Sequence, residues 1–122
     1  AERYAIIDNG SAVPQAALLG ATGFVTHLAN VWPEHDVAMW ERYAAGDYAG
    51  ATADFVAVNW VWRALRGWAG QEAGGGESFL VKPAAEMTGF HGGPSRPPMS
   101  TLNAAQRAHV REVLEGIGAP LV

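Results

Sequence analysis

The chain has one lysine, Lys82, inside the run FLVKPAAEMTGFHGGPSRPPM at residues 79–99. A lone amine becomes a Schiff-base nucleophile only when a desolvated pocket or cationic neighbours lower its pKa. Lys82 instead falls in a short amphipathic pattern beside the glycine tract 74–76, which argues for a structural role. Histidine titrates near neutrality, so His27 could donate to a substrate carboxylate or serve as a general acid or base; a hydrogen-bonded packing histidine is the plainer reading. Asp8 could orient a hydroxyl or a water, or it could close a turn or cap a helix. His27, His35, His91 and His109 show neither H-x-H nor H-x-x-x-H spacing, and cysteine is absent, which argues against a zinc site. The three glycines at 74–76 lack the following lysine and the strand context of a phosphate loop. Arg96, in a proline-rich run, could meet an anion or pair with helix-end carbonyls or a carboxylate.

Composition bounds what such residues can serve. With 122 residues, 49% hydrophobic against 16% charged, the chain can bury the core of one small domain. Eight basic against twelve acidic residues give a net charge of −4, which argues against binding a nucleic-acid backbone. The absence of cysteine excludes disulfides and thiolate metal sites and is compatible with a reducing cytoplasm. No apolar run approaches the ~20 residues needed to cross a bilayer, and the first residues carry no signal-peptide pattern. The expectation is a soluble, cytoplasmic protein with no membrane partner and no cofactor.

The elements that must position these residues alternate at first. YAIID (4–8) is a short apolar run closed by Asn9-Gly10 and suits a strand buried on both faces. Ser11 can then cap a helix over AVPQAALL, with Pro14 near its start and Gly20 as a left-handed stop. GFVTHLAN (23–30) reads as a second buried strand, and WPEHDVAMWERYAAGD as its helix, begun by Pro33, Glu34 and Asp36 and ended by Gly46. The remainder is helical. ATADFVAVNWVWRALRGWAG is apolar nearly all round and should be covered on more than one face. The stretch 72–78 reads as a flexible connection. A short helix follows, with Ser78 as a possible cap, Pro83 as a kink or delay and Gly89 as a stop. A final helix opens at Asn103 with Gln106 three residues on, a variant of the capping box. The five tryptophans suit core and interface.

Two βα units cannot make a stable parallel sheet, because two strands bury too little surface and leave both edges open. Buried parallel strands occur in doubly wound sheets or in (β/α)₈ barrels of about 250 residues, roughly twice this length.

LLGATGFVTHLANVWPE, then AAGD, then LVKPAAEMTGFHGGPSRPPMSTLNAAQRAHVREVLEGIG together resemble the C-terminal part of the dihydrodipicolinate synthase / N-acetylneuraminate lyase family. The specific signals are G-x-x-G-x-[VI]-[ST]-x-x-x-N at 20–30, Ala-Gly-Asp at 45–47 and G-P-x-R-x-P at 93–98, in that order. The resemblance implies the C-terminal portion of a (β/α)₈ TIM barrel, an α/β fold. The last two βα units would occupy residues 1–46 and a helical C-terminal extension residues 47–122. It further implies a class I lyase or aldolase that binds pyruvate or another 2-oxo acid through a Schiff base. The family's reacting lysine sits on the sixth strand, before residue 1 here, and its Gly-Thr-Thr/Ser-Gly-Glu loop and tyrosine also lie upstream. A separate family lysine in a VKAAL-like helix falls at Lys82, so Lys82 is not the nucleophile and the chain alone is not competent.

Barrel active sites form at the carboxyl ends of the strands. The residues there would be Asp8, Asn9, Gly10, Thr26 and His27, together with Val25, which matches a family position whose carbonyl faces the lysine. Asp8 stands where many members have glycine, and an alternative register pairs Asn9-Gly10 with the family's Asn-Gly or Ser-Gly. The expected partners are an N-terminal half-barrel chain or fragment, homologous subunits and a small 2-oxo acid. Two other readings stand beside this one. The first is a non-catalytic interaction or oligomerisation module that docks through the aromatic helix. The second is a small binding protein with a complete sheet of its own.

Overall fold

Ile7–Asp8 (β1) and Gly23–Phe24 (β2) pair in parallel in the computed structural model, which describes residues 4–73 and 77–122. Ile7 lies opposite Gly23 and Asp8 opposite Phe24. Single backbone bonds extend the ladder, with Thr22 N–H donating to Ile6 O and Val25 N–H to Asp8 O, both at 2.8 Å. Parallel strands require a crossover. Helix α1 (Val13–Leu18) supplies it, with Pro14 in its first turn and Gly20 at φ 85° beyond its end.

The sequence predicts strands over 4–8 and 23–30, buried on both faces. The structure pairs only the short stretches above, and Ile6, Ile7 and Val25 are 48%, 59% and 64% exposed. A ladder extends only where a neighbour supplies donors and acceptors, and among the described residues the sheet has two strands. The binding-protein reading, which needs a complete sheet, finds no further strand there. After β2 the chain bends at once, because Thr26 Oγ1 accepts from Leu28 N–H at 3.1 Å and a 3₁₀ turn follows at Leu28–Asn30. Ser11 does not cap α1. Ala12 occupies the cap position, and the Asp8 carboxylate accepts its N–H at 3.2 Å.

Helix α2 (Pro33–Ala44) starts on proline with Glu34 and Asp36 in its first turn, and it gives way to Gly46 at φ 84°. Helix α3 (Tyr48–Asp54) is capped by Asp47, whose Oδ1 accepts from Gly50 N–H at 2.9 Å. A π-helical turn, Phe55–Asn59, joins α3 directly to helix α4 (Trp60–Ala73). Helix α5 (Glu77–Met87) and helix α6 (Ala104–Gly116) complete the fold. Of the stretch 72–78 read as a flexible connection, residues 72–73 end α4 and 77–78 open α5, so there the chain is helical, and 74–76 lie outside the described residues.

Pro83 does not delay α5; it sits buried in the middle of the helix with Phe79, Leu80 and Ala84. A proline there forfeits about 3 kcal/mol, and burying each large apolar neighbour returns about 1.5–3 kcal/mol. Packing therefore outweighs the lost hydrogen bond. Ser78 does not act as a cap either, since its hydroxyl donates to Met99 Sδ. Asn103 and Gln106 form the full reciprocal capping box at the start of α6.

Two apolar clusters hold these elements. Val13, Ala17, Met39, Tyr43, Ala51 and Phe55 join α1, α2 and α3. A larger cluster, including Leu28, Val31, Trp62, Leu65, Leu80, Val110 and Leu114, joins the 3₁₀ turn to α4, α5 and α6. The helical extension thus grips the turn after β2, which fixes α4 across the strand ends. Among the described residues no helix is long and apolar enough to cross a membrane.

Candidate functional site

The loop after β1 is built by its own side chains. Asn9 Oδ1 accepts from Ser11 N–H at 3.2 Å, and the Asp8 carboxylate holds Ala12 N–H. Between them Gly10 has φ 81°, and a Cβ there would stand 2.8 Å from the Val25 carbonyl oxygen. Glycine is needed twice over, for a left-handed backbone and for the close approach of β2. Gly10 therefore places no side chain against the Val25 carbonyl at the strand end.

A cleft of about 440 Å³ opens at these carboxyl ends, between the loops and α4. Of the residues expected from sequence, Asn9, Gly10 and Thr26 line it. Asp8 and Val25 sit beside it, bonded to each other through Val25 N–H and Asp8 O. His27 reaches it through a partner, because its Nε2 lies 2.5 Å from Glu77 Oε2 and Glu77 is a lining residue. The second Glu77 oxygen takes the Arg66 guanidinium, so a carboxylate at the start of α5 ties the end of β2 to the middle of α4.

Sequence reasoning missed the far wall: Asn59, Trp62, Arg63, Arg66, Gly67 and Gly70. The signal was present as a polar and small stripe at 63, 66, 67 and 70, one helical face of an otherwise apolar segment. Asn59 closes the π turn and carries a buried network. Its Nδ2 donates to Asp36 Oδ1 at 2.9 Å, which turns its Oδ1 to His35 Nε2, also at 2.9 Å. His35 therefore carries its proton on Nε2. Burial raises the Asp36 pKa above its ordinary 3.8, opposed by the Asn59 hydrogen bond and the nearby His35, and Asp36 Oδ2 has no partner among the described residues. A π turn at such a position re-aims one side chain without breaking the helix.

Lys82 is elsewhere. Its Nζ donates to Pro94 O at 2.8 Å, and it lines a separate cavity of about 190 Å³ between α5 and the loop before α6. Among the described residues no group of three or more histidines and acids is placed to hold a metal ion.

A parallel βαβ unit with its cleft at the carboxyl ends of the strands is the arrangement of barrel-type α/β enzymes. The Dihydrodipicolinate synthetase family profile matches residues 8–117, and the chain belongs to that family. It is 33% identical over 107 residues to a 4-hydroxy-tetrahydrodipicolinate synthase of Methanosphaerula palustris, covering 88% of this chain and 34% of that protein. A 4-hydroxy-tetrahydrodipicolinate synthase of Methanoculleus marisnigri is 30% identical over 124 residues, covering 96% of this chain and 38% of its own. The chain thus spans about a third of the length of the curated relatives it matches. The crystal structure of dihydrodipicolinate synthase from Aquifex aeolicus superposes with a TM-score of 0.78 at 21% identity, over 99% of this chain and 39% of that one. The fold is that of part of a TIM-barrel enzyme.

Proposed function

We propose that this chain is the C-terminal segment of a Schiff-base aldolase or lyase acting on pyruvate or a related 2-oxo acid. In this reading it forms the last two βα units of the barrel and the helical extension behind them, in the cytoplasm. The nucleophilic lysine comes from outside residues 1–122. The observation that carries the reading is the cleft at the paired strand ends, lined by Asn9, Gly10 and Thr26, in a chain whose strands are left exposed on their flanks.

The chemistry divides accordingly. An external amine attacks the substrate's C2 carbonyl, releasing water and leaving an iminium that draws electrons from C3. The Val25 carbonyl, against which Gly10 places no side chain, accepts a hydrogen bond near that amine, and Asn9 and Thr26 orient the bound acid. His27, oriented by Glu77, exchanges a proton with a substrate oxygen. Mixing the chain with a lysine-bearing N-terminal half, pyruvate and borohydride should fix a covalent adduct on the partner. The absence of both an adduct and a complex would contradict the reading.

One observation supports a further role in assembly. Val56, Trp60 and Val61 on the π turn and α4 are 49%, 60% and 39% exposed, an apolar face suited to a homologous subunit.

A further inference from the structure

The α4 wall of the cleft carries groups that the chemistry at the strand ends leaves idle. Arg63 lines the cleft, and its Nη1 donates to Ser11 O at 3.3 Å. Among the described residues no carboxylate pairs with it, whereas Arg66, one turn on, is held by Glu77. The lining residues thus include two guanidinium groups against one carboxylate, an excess of positive charge in a chain whose net charge is −4. Clefts with such an excess concentrate anions.

The same wall has room that packing does not explain. Gly67 and Gly70 lie inside α4 and line the cleft, and an added Cβ at either would meet nothing within 4 Å. A glycine within a helix costs roughly 0.5–1 kcal/mol relative to alanine. No neighbouring atom among the described residues requires that cost. Trp62, 3% exposed, is part of the same wall, and its indole N–H has no acceptor among the described residues. A buried donor in that state is short of an oxygen.

We propose that the α4 wall is a subsite for the distal carboxylate of a dicarboxylic 2-oxo acid. Arg63 is the partner of that carboxylate, Gly67 and Gly70 give it room, and the indole N–H of Trp62 is completed by its oxygen or by a water it holds. One planar guanidinium matches one planar carboxylate in a two-point pair, whereas a phosphate dianion would call for more charge. The inference rests on the proposed reaction for the 2-oxo end, but the carboxylate end is tested separately.

The probe is glutarate, titrated into the full chain with and without its lysine-bearing partner and followed by calorimetry and amide NMR, with glutaramide as the neutral control. Glutarate should bind and shift resonances of Arg63, Gly67 and Gly70, and glutaramide should not. Arg63→Met should weaken glutarate roughly tenfold or more, the equivalent of losing one hydrogen bond to a charged group. Gly67→Leu should weaken it by filling the space, and Arg111→Met, on α6, should leave it unchanged. Equal binding to wild type and Arg63→Met, or no binding to wild type, overturns the subsite. Borohydride trapping of pyruvate is read in parallel. Its failure with glutarate binding intact would sink the reaction and leave the subsite standing.

Discussion

Gly10 shows how far one residue reaches, since its φ of 81° and its approach to Val25 O are both required by the β1 loop. Gly20 has a similar φ of 85° but open space around it. Gly10→Ala should lose the roughly 1–2 kcal/mol of a left-handed backbone plus the cost of moving β2, and Gly20→Ala only the former. Urea unfolding of the two variants compares them directly; equal losses would mean that Val25 does not press on Gly10. Asp36 gives a pH-dependent case. Burial raises its pKa above 3.8, so the fold favours the protonated form. Its contribution is complete below that value and is lost as pH rises through the raised one. Asp36→Asn should therefore be more stable than wild type at pH 7, with the gap closing as pH falls toward 3.8. A gap that widens on acidification would show the carboxylate to be stabilising. At this scale the sequence made Asn9, Gly10 and Thr26 legible as residues at the strand ends, where they line the cleft, because strand ends can be located from apolar runs. It did not reveal Glu77 or Arg63, whose partners are 50 and 52 residues away in the chain.

Among the elements, helices were easier to read than strands. Asn103 and Gln106 carry their own start signal, and the reciprocal bonds are both present at 2.9 Å. Asn103→Ala should cost about 0.5–2 kcal/mol and speed exchange of the Gln106 amide; an unchanged exchange rate would remove the box from the account. The strands could not be sized because a ladder's length depends on neighbours that pattern does not report. The π turn at Phe55–Asn59 was likewise illegible, since it depends on burying Asn59 beside Asp36 and His35. Pro83 misleads for a related reason, because local propensity gave way to packing around α5.

At the scale of the whole molecule, two groups of the exposed apolar residues bear on assembly. One is the strand pair with Ile6, Ile7 and Val25, and the other is the face of Val56, Trp60 and Val61. The second is the face proposed for subunit docking, so Trp60→Glu should shift the complete protein to a smaller species in sedimentation without unfolding it. An unchanged species would remove that face from assembly. The first is the pair proposed to be completed by the rest of a barrel. The central claim is that β1 and β2 are completed by strands this chain does not supply. Hydrogen exchange of the Ile7, Asp8, Phe24 and Val25 amides, measured in the chain alone and then with its lysine-bearing partner, tests it most directly. The expected result is rapid exchange alone and strong protection in the complex. Equal protection in both, or none in either, would contradict the account.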